Sequence, residues 1–557
     1  MPIRQSKSAR TFTRGSESDT IVRKMERQTT SALGRKIAQS TGIVMASVLL
    51  SRVLGFFREW TVAHKIGATA VTDSYYAAFT LPDFVNYLVA AGSLAVTFIP
   101  VFSKYLADDD EDEGWRVFSI VTTFMGLLLL VFVGLAEVYA QHVVSLLAPG
   151  FGPEEKARVV FLTRVMLPAQ FFFCMHGLLA AVQYAKGRFA VPQLAPLVYN
   201  TFIILGGVLL ASRIGITGFA VGVLAGAFVG NFMLQIYGAV RVGAKFTPSL
   251  NLRHPGFIMF VKLAIPIMLA LSLSFTDDWV IRWFGSYLQP ASITWLTYAK
   301  TLMRVPLGIV GQAIGVAAFP VLAHLYSEGR LDEMNRMLHN TMKGLILMLV
   351  PIAALTMAES RPLVHLVFSH TRLREPDLNA TAATLVLFSL GMFGWGAQNI
   401  LSRGFYATRD TITPAVVGTA MTFATLPLYW LFVRHAQHLG LALASSVGIT
   451  VYTILLFVLL FRRTRDRQAG ELLWFAAKIM LASAVGGTAS WKFSNWLGAH
   501  IAWRTMHGAF VDVCIVSSVG IALTALCIWI LRVPELTMYV RRIYRGRTRV
   551  AAGDASS

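Results

Sequence analysis

Three charges interrupt the first apolar run of the chain. The stretch STGIVMASVLL (40–50) reads as lipid-facing helix, and SRVLGFFREW (51–60) continues it with Arg52, Arg58 and Glu59. A charge at the bilayer centre costs several kcal/mol, about 2.5–3.5 on insertion scales, so such residues mark a pathway for an ion or a polar substrate. Arg52 and Glu59 are seven residues apart and share a helical stripe, with Arg58 about 100° round from Glu59. Asp73 opens the next apolar segment; Asp277, Asp278 and Arg282 recur in SLSFTDDWVIRWF, and Lys300 and Arg304 in TYAKTLMRVP. The chemistry this set suits is a hydrated central cavity of positive potential. Arginine's planar fork binds oxyanions bidentately, which points to an anionic, phosphorylated substrate. The bland alternative is ion pairing at helix ends, with the long cations snorkelling to the interface.

The elements that must position these charges are membrane helices. The chain has 557 residues, 55% hydrophobic and only 14% charged, against about 25% charged in soluble domains. Apolar runs near 20 residues recur along its whole length. The expected fold is an all-α polytopic membrane protein of about fourteen transmembrane helices. The net charge of +20 lies mostly between apolar segments, so it orients the chain by the positive-inside rule and does not imply nucleic acid. The basic N-terminal tail, the segment FRRTRDRQ and the basic C-terminal tail place both termini in the cytoplasm.

An internal repeat divides the spans. FIPVFSKYL (98–106) precedes AFPVLAHLY (318–326) by 220 residues, matching Pro100 to Pro320, and YAKGRFAVP (184–192) precedes YATRDTITP (406–414) by 222, matching Pro192 to Pro414. About six spans separate the copies, and an even number makes the repeats parallel. The expected organisation is a cytoplasmic tail at 1–40, a first lobe of spans 1–6 at 41–245, a second of spans 7–12 at 256–465, a hairpin of spans 13–14 at 470–533 and a basic tail at 534–557. Two lobes around a cleft is a transporter architecture.

Other chemistry has little support. Cys174, Cys514 and Cys527 all lie in apolar runs, with no disulfide or metal spacing. His365 and His370, in an expected outer loop, lack a zincin spacing. No Walker motif, nucleophile elbow or glycine-rich nucleotide loop is present, so neither an enzyme nor a cofactor is expected. Gln398 and Asn399 read as a helix–helix hydrogen bond more than a ligand site.

SRVLGFFRE, GATAVTDSYYAAFTLPDF and FIPVFSKYL, together with GRFAVPQLAPLVYN and LSRGFYATRDTITP, resemble the MurJ/MviN family, the lipid II flippases of the multidrug/oligosaccharidyl-lipid/polysaccharide exporter superfamily. The likeness runs over roughly 41–465. It implies movement of an undecaprenyl-pyrophosphate-linked saccharide from the inner to the outer leaflet of the bacterial inner membrane. It also implies alternating access driven by membrane potential or by Na+ or H+, and a hairpin groove for the lipid tail. Carried over by motif, Arg52, Arg58, Glu59 and Asp73 are substrate-binding candidates. The sequence then departs from the pattern. The span-2 motif resembling L-P-N-x-x-R-R reads LPDFVNY, leaving Asn86 and Tyr87 where arginines are usual; the span-8 motif reads AKTLMRVP, with Lys300 and Arg304 beside Thr301. Asn86, Lys300 and Arg304 complete the substrate set. Asp277 and Asp278 are the ion-coupling candidates, although span 11 lacks the family's acidic and amide partners. Expected partners are lipid II or a similar glycolipid, membrane lipids and a coupling ion, with the chain a monomer. Alternatives are a flippase for another polyprenyl-linked glycan, an ion-coupled small-molecule exporter and a membrane scaffold. An exporter of small cations would want an acidic cavity, and a scaffold gives no reason to retain buried charge.

Overall fold

The structure, a computed structural model, describes residue 42 and residues 45–85, 93–272, 276–466, 469–500 and 504–533. Asn86, Tyr87 and both expected tails lie outside the described residues. Residues 45–65 form α1, followed by α2 (Ala70–Ala78), α3 (Thr80–Val85), α4 (Ser93–Ala107), α5 (Glu111–Leu147), α6 (Pro153–Met166), α7 (Ala169–Ala185) and α8 (Ala190–Ile214). Next come α9 (Thr217–Gly226), a π-helical segment (Ala227–Met233), α10 (Leu234–Arg241), α11 (Pro255–Ser272), α12 (Thr276–Gly285), α13 (Ser292–Ser327) and α14 (Leu331–Ala358). The chain continues through α15 (Ser360–Phe368), α16 (Glu375–Leu390), α17 (Met392–Ala407), α18 (Ile412–Arg463), α19 (Ala469–Leu497) and α20 (Met506–Ile530).

Among the described residues, eight helical runs are long and apolar enough to cross a membrane, counting α6 with α7 and α9 through α10 as one run each, or nine with α16 and α17, bent by 41°, taken as one. That is fewer than the fourteen expected. One reason is that α18, 52 residues long, carries two expected spans in a single run that turns at Gln437, where φ is +48°. Another is that the second expected span breaks between α2 and α3. Pro82 has no N–H to give the Ala78 carbonyl one turn back, and the Thr163 hydroxyl on α6 donates to that carbonyl instead, at 3.1 Å. A freed carbonyl in lipid needs such a partner.

The acidic run 107–113 has a local purpose. Asp110 caps α5, accepting from the Glu113 N–H, and three acids fill its first turn, complementing the helix dipole. They also collect cations from other loops: Glu111 pairs with Lys186, Asp112 with Lys245, and Glu113 with His254.

The repeat extends to the turns. Left-handed backbone occurs at Gly67, Asp109, Gly187, Gly215 and Gly243, and again at Ala291, Gly329, Arg409, Gln437 and Arg465. The offsets are 224, 220, 222, 222 and 222 residues. The first pair precedes α2 and α13, and the others end the helices between them and their counterparts. Turn geometry is thus kept where residue identity is not.

Two buried apolar clusters result. One joins α3, α4, α5 and α7 to α11; the other joins α1, α2, α6 and α9 to the helices after residue 276. Gly218, Gly222, Gly226 and Gly230, four apart, let α9 and the π segment touch the backbone of α8: a Cβ on Gly226 would meet Tyr199 O at 2.8 Å. Such small-residue stripes allow close packing without a hydrophobic drive, and here the stripe fixes Tyr199 and Asn200. Cross-chain bonds gather at the end where α1 gives way to α2. Arg372 N–H donates to Ala63 O at 3.2 Å, Trp60 Nε1 to Val367 O at 3.0 Å, and Gly150 N–H to Ser286 Oγ at 3.1 Å. The C-terminal pair α19 and α20 packs together, α19 on α14 and α20 on α15.

Candidate functional site

A cavity of about 390 Å³ lies where α1–α3 and α6–α9 face α12 and α13, within the usual range for ligand sites of roughly 300–1,000 Å³. Its charged lining is Arg58, Arg282, Lys300 and Arg304 against Glu59, Asp83 and Asp278.

Each cation has a carboxylate. Arg58 donates to Glu59 Oε1 from Nε at 3.0 Å and Nη2 at 2.5 Å, and from Nη1 to Asn200 Oδ1 at 3.3 Å. The other Glu59 oxygen accepts from the Tyr76 hydroxyl at 2.5 Å. Lys300 Nζ donates to Asp277 Oδ2 at 2.5 Å and Asp278 Oδ1 at 2.6 Å, and lies 5.8 Å from the ring centres of both Phe388 and Trp395. Arg304 Nη2 reaches Asp278 Oδ2 at 3.3 Å, and Arg282 Nη1 reaches Asp83 Oδ2 at 2.9 Å. Four lining cations against three lining carboxylates leave a small positive excess, so the cavity keeps the positive sign expected from the sequence but is largely self-neutralised.

The structure brings Arg58, Glu59, Asp278, Lys300 and Arg304 together as lining residues, so the face shared by Lys300 and Arg304 turns to the cavity. Three candidates stand elsewhere. Asp73, expected on the cavity, is 2% exposed and turned away from it. Its Oδ1 accepts from Thr294 N–H at 2.8 Å and Thr294 Oγ1 at 2.6 Å, capping α13, whose own N-cap residue Ala291 makes no side-chain cap bond. Arg52 is exposed and outside the lining. Its guanidinium lies across Gly308 of α13, so close that a Cβ there would fall 2.5 Å from Nη1. Asp277 sits behind Lys300, held by the Tyr429 and Ser445 hydroxyls, because the ammonium fills the space between it and Asp278.

Two smaller expectations also change. His365 is buried on the short helix α15 and not in an irregular loop. Gln398 Nε2 donates to Ser402 Oγ at 3.3 Å and Asn399 Nδ2 to Trp395 O at 2.9 Å, both within α17, in place of the helix–helix bond expected of the pair. Among the described residues no group of three His, Cys, Asp or Glu side chains could hold a metal ion.

Sequence reasoning passed over Asp83, counted Arg282 among the cavity charges without making it a substrate candidate, and did not reach Tyr75 or Gln170, lining residues whose hydroxyl and Oε1 are buried without a protein partner. The usable signal was Pro82, beside Asp83 in LPDF: the proline's missing N–H breaks the helix at Phe79. Chemically, the site offers exchangeable cations for phosphate oxygens, inside a wall of tyrosines, phenylalanines and aliphatic side chains.

This chain is similar to known transporters over most of its length. It is 25% identical over 491 residues to the "Probable lipid II flippase MurJ" of Vibrio cholerae serotype O1, covering 85% of this chain and 93% of the relative. It is 26% identical over 496 residues to the "Lipid II flippase MurJ" of Burkholderia cenocepacia, covering 87% and 93%. A solved structure described as "Lipid II flippase MurJ, inward closed conformation" superposes with a TM-score of 0.74 at 20% identity, over 88% of this chain and 99% of that one. The family profile described as "Lipid II flippase MurJ" matches residues 62–506, and the protein belongs to the MurJ lipid II flippase family.

Proposed function

We propose that the cavity carries the diphosphate of lipid II, an undecaprenyl-pyrophosphate-linked peptidoglycan precursor, while its lipid tail stays in the bilayer. The protein is a lipid II flippase of the bacterial inner membrane. The observation that carries the site assignment is the convergence of Arg58, Arg282, Lys300 and Arg304 from both halves of the chain on one chamber. Arginine forks hold phosphate oxygens in pairs. In this reading residues 41–245 and 256–465 are two lobes that rock about the cavity, and 470–533 is the hairpin that guides the tail. The Lys and Arg of the loops support cytoplasmic termini, which makes the end joining α1 to α2 the outer end. The hydrogen bonds from Trp60, Gly150 and Arg372 then seal the outer side, and the chain works as a monomer. An ion that coupled through Asp277 and Asp278 would have to displace the Lys300 ammonium.

The test is rescue of cells depleted of their own lipid II flippase. The unmodified chain should restore growth, Arg58→Ala should fail at normal expression, and Arg58→Lys should recover only part, because a point charge does not reproduce a fork. Full rescue by Arg58→Ala would remove that residue from the site. No rescue by the unmodified chain, with no movement of lipid II in proteoliposomes, would shift the reading to another polyprenyl-linked glycan.

A further inference from the structure

Arg282 and Asp83 meet across the cavity from opposite halves of the chain. Arg282 stands in the last turn of α12, and its Nη1 lies 2.9 Å from Asp83 Oδ2 on α3. The side chains are 17% and 32% exposed, so the pair is partly shielded from solvent.

Three features set this pair apart. First, Arg58 is held by its own neighbour Glu59, and Lys300 and Arg304 by carboxylates of α12 in their own half; among the described ion pairs of the cavity, Arg282 with Asp83 alone joins the halves. Second, Pro82 leaves the Ala78 carbonyl without its helical N–H, the helix breaks at Phe79, and Asp83 stands in the first turn of the α3 that follows, so its position follows from backbone chemistry. Third, Asp83 accepts a single bond from Arg282, whereas a guanidinium has five N–H donors in a rigid fork and binds phosphate through two of them at once. A diphosphate is therefore the stronger competitor.

We propose that a diphosphate group entering the cavity takes Arg282 from Asp83, and that this exchange unfastens the two halves at the outer end. The inference rests on the lipid II reading above. In the empty state the guanidinium and carboxylate neutralise one another and tie α3 to α12. With diphosphate bound, its oxygens neutralise Arg282, and Asp83 is left to water as the halves part. The ligand favours the parted state because Arg282 is available to it only there, which is the differential affinity a population shift needs. The cation that reads this part of the substrate thus comes from the second half of the chain, beside a span-2 segment that carries an aspartate.

The full-length protein in lipid nanodiscs tests this, with spin labels on cysteines at Ala157 of α6 and Asn379 of α16, both exposed, and with Cys174, Cys514 and Cys527 replaced by alanine. Lipid II and inorganic pyrophosphate are the probes. In the otherwise unmodified chain, lipid II should lengthen the distance between labels. Asp83→Asn, nearly isosteric, should lengthen it without ligand and bind both probes roughly tenfold tighter, the scale of one charge-assisted hydrogen bond. Arg282→Gln should also lengthen the resting distance but bind roughly tenfold weaker. Arg282→Lys should keep the short resting distance yet still lose affinity, which a merely structural pair would not do. Affinities of Asp83→Asn and Arg282→Gln that move the same way, or resting distances unchanged in both, overturn the exchange. If the unmodified chain binds lipid II and the variants still move together, the exchange alone fails; if it binds neither probe, the lipid II reading fails with it.

Discussion

Asp73 gives the sharpest separation between a substrate ligand and a structural group. Its carboxylate is 2% exposed and accepts from both the N–H and the hydroxyl of Thr294, so it caps α13 from another helix. Removing it with Asp73→Ala costs an N-cap, about 0.5–2 kcal/mol, and leaves the Thr294 hydroxyl without its acceptor in a buried site, about 1–3 kcal/mol more. The expected loss is roughly 1.5–5 kcal/mol. Asp73→Asn keeps an acceptor oxygen and should lose about 1 kcal/mol. Thr294→Val should destabilise as well, and the double mutant Asp73→Ala with Thr294→Val should fall well short of additivity, because both changes break the same bonds. Thermal unfolding in detergent reads the stability, and lipid II binding to the protein still folded at low temperature reads the site. The reasoning predicts lower melting temperatures with binding kept within about threefold of the unmodified chain. Unchanged melting of Asp73→Asn together with a loss of binding of tenfold or more would refute it and return Asp73 to the substrate.

Three further outcomes follow from particular contacts. Gly308→Ala places a Cβ 2.5 Å from Arg52 Nη1, so the guanidinium must leave α13; flipping rate should fall while stability holds or rises by up to about 1 kcal/mol, the usual gain for alanine over glycine inside a helix, and an unchanged rate in proteoliposomes would show that this resting place does not matter. His365, outside the expected spans, has its imidazole held below the ordinary value by burial, with Arg504 adding to this and Glu375 opposing it. The unfolded chain therefore takes up a proton that the folded protein refuses as pH falls below about 6.5, so the melting temperature should drop on acidification from pH 7.5 to 5.5, and less steeply in His365→Gln; equal slopes would sink this. Ala291 holds φ at +77° in the turn before α13, a backbone that costs a residue bearing a Cβ about 1–2 kcal/mol, so Ala291→Gly should hold or raise the melting temperature and Ala291→Val should lower it.

Much of this was legible because it depends on type and spacing. The all-helical membrane architecture follows from apolar runs that must satisfy their own backbone. The repeat was visible in two short matches, and the structure carries it into five pairs of left-handed turns that no residue match reveals, since glycine stands opposite alanine, arginine or glutamine. The site was legible as a set of intramembrane charges, but not as pairs. Which carboxylate meets which cation depends on helix rotation and on contacts as much as 199 residues apart, as for Asp83 with Arg282. Heptad spacing placed Arg52 with Glu59, yet Glu59 turns inward to Arg58 and Tyr76 while Arg52 lies against Gly308, because a long flexible side chain goes where a neighbouring helix makes room. Lys300 looked like a displaced substrate cation; its two carboxylates on the preceding helix, α12, decide its resting state.

The self-neutralised cavity bears on how a carrier of a charged headgroup returns empty. Removing one partner of a buried ion pair costs about 3–5 kcal/mol, since the other charge is left without compensation. A chamber of bare arginines would hold diphosphate tightly and then be unable to close after release. On the proposed reading, Glu59, Asp83 and Asp278, which each hold a cation at rest, would retake it when the substrate leaves, so that each step of the cycle would exchange one neutral set of partners for another. The same carboxylates weaken the hold on the substrate, and for a transporter that is the useful direction: affinity has to suffice for loading on one side and still permit release on the other. On this argument the carboxylates set turnover as much as the arginines do, and the cationic residues are free to stand on α12 and α13, away from the span-2 positions usual in the family, provided each keeps an acid within reach.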